Sequence, residues 1–274
     1  MTVLTGVKTV AQQASEISPV AHAEAGRLAR TEFERVLAVL ETLDGTDWQQ
    51  PTYCTEWNVR DMVAHLAGAM TGSTSLREFV RQNITHPYVK AAAYPVDGTN
   101  RLQIEERAKQ NTADIIAEFR QNGPIAIKNR QKLPWLVRQL PIPGVGNFGY
   151  LMDIIYPRDE WMHRYDICAA TGKKMVITEE HDGRILNLVL LDIAKKLQKS
   201  SAGRTIVLHI TGALNGTYQF GHKAEPDCTL TIDLFDFHLR ASERISAEEA
   251  VRRTAVSGDQ TTAHWFLSSA TVLY

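Results

Sequence analysis

Asp159 and His163 stand four residues apart in the run Pro157-Arg158-Asp159-Glu160-Trp161-Met162-His163-Arg164-Tyr165-Asp166. On an α-helix, positions i, i+4 and i+7 stack on one face, so these two residues and Asp166 share a stripe. A carboxylate and an imidazole held that way can grip a divalent metal ion. His65, in the helical context Asp61-Met62-Val63-Ala64-His65-Leu66-Ala67-Gly68, can complete a three-ligand set with one position open for water or substrate. Each feature also has a plainer reading. The Asp159–His163 spacing fits a helix-surface ion pair contributing about 0.2–0.5 kcal/mol, and His65 among Val63, Ala64, Leu66 and Ala67 fits a hydrogen-bonded core histidine. Spacing alone leaves both open. Glu160 reads as the solvent-side partner of Arg164, with the Asp159–His163–Asp166 stripe turned inward.

Other candidate groups carry less. His22, His86, His181, His209, His222, His238 and His264 have no comparable carboxylate spacing. Cys54 reads as a small buried residue, since no cationic neighbour at local spacing would hold it as thiolate. Gly144 and Gly146 lack the lysine and the preceding strand of a phosphate loop and read as a turn. The 30 Lys+Arg nearly balance the 31 Asp+Glu, and no basic run is present, which argues against electrostatic capture of nucleic acid or an anionic membrane. Met1 to Val20 lacks the continuous apolar stretch of a signal peptide, and no uncharged apolar run reaches the roughly 18 residues of a membrane span. The cysteines Cys54, Cys168 and Cys228 are odd in number and dispersed, which suits a reducing cytosol, so a cytoplasmic location is expected.

The elements that must position these residues follow from pattern. Apolar residues at helical spacing predict a first helix over 21–43. Asn58, with Asp61 three residues on, forms a capping box that starts a second helix near Val59, running toward Asn83 with a break near Gly72. A third helix is expected over 100–120, closed by Asn122-Gly123-Pro124. The fourth runs over 148–170, kinked at Pro157 and stopped at Gly172. Four such helices make a bundle, whose core is a common place for metal sites. Beyond Gly172 come a helix over 179–198, β-type runs at 205–210, 216–220 and 228–234, and short helices at 235–242, 247–254 and 261–269. In the last β-run, Cys228, Leu230, Ile232 and Leu234 alternate with Thr229, Thr231 and Asp233. The expected fold class is α+β, with a bundle domain over 1–175 and a smaller α+β domain over 176–274.

The pattern Pro-Thr-x-Cys-x-x-Trp-x-Val-Arg-Asp-x-Val-x-His-Leu-Ala-Gly, Pro51 to Gly68, resembles the signature of the mycothiol-dependent maleylpyruvate isomerase family. That resemblance implies a DinB-like four-helix bundle holding a divalent metal, usually zinc, on an early histidine and a later Glu-x-x-x-His. Those positions map onto His65, Asp159 and His163, with Asp166 as the trailing aspartate. Ser257-Gly258-Asp259 through Phe266-Leu267 is similar to the family's sterol-carrier-like C-terminal domain. The chain departs from the family in carrying Asp159 where a glutamate is usual. The resemblance implies an enzyme, a metal-dependent transferase or isomerase that uses zinc and a low-molecular-weight thiol such as mycothiol on a small electrophilic substrate. Arg60, Arg158 and Arg164 are then available to hold substrate carboxylates. A monomer or homodimer without nucleic-acid or membrane partners is expected. Two rival readings are a hydrolase using metal-bound water on the same bundle and a non-catalytic ligand-binding or regulatory module.

Overall fold

Apolar residues at helical spacing bring Leu28, Phe33, Val36 and Leu40 to the buried side of helix α1 (His22–Leu40). Helix α2 (Val59–Gly72) begins as its capping box predicts. Asn58 Oδ1 accepts the Asp61 N–H at 2.9 Å, and the Asp61 carboxylate accepts the Asn58 N–H at 3.3 Å. The helix ends at Gly72, and a separate short turn, Leu76–Val80, follows under a Ser75 cap. Next come α3 (Pro95–Glu105), α4 (Thr112–Gln131) and α5 (Tyr156–Thr171). This computed structural model describes residues 11–274, so the first ten residues of the expected leader-free N-terminus lie outside the described residues.

The third expected helix is corrected. It is two helices, and the break falls before Asn111, whose side chain caps α4 by accepting the Asp114 N–H at 2.8 Å. Gly123 and Pro124 lie inside α4 rather than ending it. Gly123 is there for closeness, because a Cβ would run into the Phe33 ring. That contact belongs to the core, where Phe33 stacks on Phe119 at 5.1 Å beside Val36, Val63, Leu66 and Ile127. Each such side chain, fully buried, contributes about 1.5–3 kcal/mol. Pro157 sits in the first turn of α5, directly after a wide turn at Leu151–Ile155, where its missing N–H leaves no bond unmade. Gly172, at φ +70°, closes α5 as expected.

Two compact units are present, one of Val20–Val176 joined by Tyr274, the other of Ile177–Leu273 with the described residues up to Pro19. The second unit holds α6 (Arg184–Leu197) and a five-stranded sheet. Its strands are β1 (Gln12–Gln13), β2 (Ile206–Thr211), β3 (Gly216–Phe220), β4 (Cys228–Asp233) and β5 (Ala255–Gly258). They lie in the order β1-β3-β2-β4-β5, with β1–β3 and β2–β4 parallel and the other pairs antiparallel. Cys228, Leu230 and Ile232 are buried and alternate with half-buried Thr229, Thr231 and Asp233, as the pattern predicts. Strands β1 and β5 are additions to the expected set, both short and without alternation of their own. Helices α7 (Leu234–Ala241), α8 (Ala247–Arg253) and α9 (Gln260–Ser269) complete the unit. The α+β class stands. Among the described residues no helix is long and apolar enough to cross a membrane.

Candidate metal centre

Helix α2 carries His65 to the bundle interior, and α5 presents Asp159 and His163 one turn apart beside it. His163 Nε2 lies 3.2 Å from Asp159 Oδ1, and His65 Nε2 lies 3.6 Å from Asp159 Oδ2. The two imidazoles meet edge to face, with ring centres 5.1 Å apart. One ligand atom from each of His65, Asp159 and His163 lies within 4.8 Å of the other two. On its far side His163 Nδ1 is 3.3 Å from Asp166 Oδ2, and Asp166 is wholly buried. A carboxylate on the second ring nitrogen fixes the orientation of an imidazole and raises its basicity as a ligand.

Whether this donor set suits a divalent ion is shown by its unmet needs. His65 is 6% exposed, and neither of its ring nitrogens has a hydrogen-bond partner. A buried polar atom left so costs about 1–3 kcal/mol, unlike the satisfied core histidine of the plainer reading. Two imidazoles and one carboxylate are a donor set that zinc-like ions accept while keeping a position open. Burial opposes the charge of Asp159, yet His163 and His65 beside it hold its carboxyl well below the usual range, so it is an anion at neutral pH. The residues fit the ion.

The loop leading into α2 closes over this set. Pro51 bridges to Asn58, Thr52 Oγ1 accepts the Cys54 N–H at 3.1 Å and donates to the Trp57 carbonyl at 2.9 Å, and the Trp57 N–H donates to the Cys54 carbonyl at 2.7 Å. Trp57 thereby lies against both imidazoles, at 5.0 Å from His65 and 5.9 Å from His163. Cys54 is half-buried rather than a core residue. Its sulfur, one ring nitrogen of His163 and one oxygen of Asp166 all lie within 4.8 Å of one another. Sequence reasoning missed both loop residues. The signal available was their place immediately ahead of the helix that carries His65.

The arginines are corrected. Arg164 is not a solvent-side partner of Glu160. Its Nε donates to Glu32 Oε1 at 2.6 Å and its Nη2 to Glu32 Oε2 at 3.1 Å, with both side chains buried. Glu160 is buried too and pairs with Arg130 at 3.3 Å, and burial pushes its carboxyl up to about 8 against the pull of that guanidinium. Arg60 Nη2 donates to the carbonyls of Arg107, Ala108 and Gln110 at 2.9, 3.1 and 2.8 Å, tying down the chain after α3. Arg158 is 1% exposed, closed off from solution. The structure brings His65, Asp159, His163 and Asp166 together and gives Arg60 and Arg164 structural partners.

The sequence profile of the mycothiol maleylpyruvate isomerase N-terminal domain matches residues 29–168. Two solved structures are similar over 87% of this chain and 93% of theirs. One is the crystal structure of the mycothiol-dependent maleylpyruvate isomerase, 15% identical with a TM-score of 0.57. The other is a histidine-to-alanine mutant of the mycothiol-dependent maleylpyruvate isomerase, 14% identical with a TM-score of 0.56. At such identities the likeness is one of fold, and it bears out a DinB-like bundle followed by a smaller α+β part. No curated protein matches the chain.

Proposed function

Since this chain belongs to the family of the mycothiol maleylpyruvate isomerase N-terminal domain, we propose that it is a metal-dependent enzyme using mycothiol or a related thiol on a small electrophilic substrate. The observation that carries the reading is the buried His65 imidazole, without a hydrogen-bond partner on either nitrogen and turned to Asp159 and His163. His65, Asp159 and His163 are the residues that would hold a zinc-like ion. When bound, such an ion would supply the positive charge that favours thiolate over thiol, giving a nucleophile at neutral pH.

The chain's own residues have separable tasks. Asp166 holds His163 by its Nδ1, so the Nε2 that faces Asp159 is the nitrogen left for a ligand bond. Asp159 stays ionised and offsets the charge of a divalent cation. Trp57 covers the two imidazoles on one side and excludes water there. An isomerase of this kind returns its thiol unchanged, whereas a transferase leaves it on the product.

Maleylpyruvate, named for both structural neighbours, is the first substrate to assay. Protein purified without a histidine tag should carry one divalent metal per chain by elemental analysis, and turnover should require both that metal and an added thiol. Stoichiometric metal with thiol-independent ester or amide cleavage would shift the assignment to a hydrolase. Absence of bound metal under loading conditions would remove the reading altogether.

A further inference from the structure

The loop ahead of α2 brings a protein sulfur to the edge of the ligand set. Cys54 sulfur, His163 and Asp166 form a second group of potential ligand atoms within 4.8 Å of one another, and this group shares His163 with the His65–Asp159–His163 set. Three main-chain and hydroxyl bonds around Thr52, Cys54 and Trp57 pin the loop backbone, so the thiol's place is governed by rotation about its own side-chain bond. Trp57, from the same turn, is already against both imidazoles. A separate observation points to a ligand at this place. His65 is 6% exposed with two partnerless ring nitrogens, and it faces the shared histidine.

Two imidazoles and one short carboxylate leave a tetrahedral ion one position short, and thiolate is a soft donor that zinc-like ions accept. We propose that Cys54 is an exchangeable fourth ligand, its sulfur taking the open position on an ion held by His65, Asp159 and His163 until an external thiol displaces it. This rests on the metal reading given above. The exchange balances without any redox partner. The metal–sulfur bond to Cys54 breaks as the bond to the incoming sulfur forms, and the proton of the incoming thiol passes to the departing Cys54 sulfur. Cys54 on this account occupies the site at rest and does not touch the substrate, so Cys54→Ser retains turnover.

Cobalt substitution of the whole protein reads each part separately. The visible bands of cobalt report metal in the site, and an intense near-ultraviolet charge-transfer band reports bonded sulfur. Wild type without added thiol should show both. Cys54→Ser should keep the visible bands and lose the near-ultraviolet band, and 2-mercaptoethanol should restore it. Circular dichroism checks the fold of that variant, with Cys54→Ala as the second substitution. Visible bands in wild type without the near-ultraviolet band, or a near-ultraviolet band surviving in Cys54→Ser before thiol is added, overturns the proposal. No visible bands in either protein means that the metal reading itself has failed, and the proposal falls with it.

Discussion

Cutting the Glu32–Arg164 pair tests whether the bundle interior is organised as described. Arg164 grips Glu32 through two nitrogens, at 2.6 and 3.1 Å, and its third donates to the Val176 carbonyl at 2.9 Å. The side chains are 1% and 0% exposed, so neither charge has water to fall back on. Glu32→Ala removes the carboxylate and leaves a guanidinium buried and unpaired, at a cost of about 3–5 kcal/mol. With roughly 2–4 °C of melting temperature per kcal/mol for chains near this size, the expected fall is about 6–20 °C. The control removes both charges together. Glu32→Leu with Arg164→Met fills similar volume without a buried ion and should recover most of the loss. Melting followed by circular dichroism, with metal content held equal, measures all three proteins. A Glu32→Ala protein within about 2 °C of wild type, or a double variant as damaged as the single one, would refute the reasoning.

Other outcomes follow from the site. His163→Ala should lose bound metal by elemental analysis while the bundle still melts cooperatively, since its apolar core does not depend on the ion; unchanged metal content would show that His163 is no ligand. Asp166→Asn should weaken metal affinity by about 10–100-fold, or roughly 1.4–2.7 kcal/mol, by releasing the hold on His163 Nδ1. A chelator-competition titration checks this, and an unaltered constant contradicts it. Burial pushes the thiols of Cys168 and Cys228 up to about 11, so both stay protonated through neutral and mildly alkaline pH. Chelator-treated native protein should then show one fast-reacting thiol, Cys54, against three after denaturation; two or more fast thiols in the native state would contradict the burial.

What the sequence carried and what it hid divide along one physical line. The Asn58–Asp61 cap, the start of α2 and the i, i+4 facing of Asp159 and His163 are local, and all are legible from spacing. The partners of Glu160 and Arg164 are not. A helix with charges on every side reads as half solvated, whereas α5 is enclosed and takes its counter-charges from α1 and α4, far away in the chain. Those two pairs carry no mark at helical spacing. Pro124 misled for a related reason, because punctuation by proline is a local rule and the Gly123–Phe33 contact beside it is a tertiary one. The approach of Cys54 to His163 depends on how a loop closes, which turn-forming residues announce without saying where the loop lands.

The pairing of β1 with β3 has a consequence in time. Gln12 and Gln13 lie parallel to Tyr218 and Gln219, and the Gln13 side chain donates to the Gly221 carbonyl 208 residues later. At roughly 5–20 residues per second, synthesis of the intervening chain takes about 10–40 s. During that interval the first strand of the sheet exists and its neighbour does not. All of Val20–Val176, one unbroken stretch, has left the ribosome before the other unit can begin to close. Gene fragments should respect this order. Residues 20–176 can be cut out as one continuous piece, while a fragment beginning at Ile177 lacks its edge strand and must have residues 11–19 returned, on a linker or as a separate peptide, to be whole.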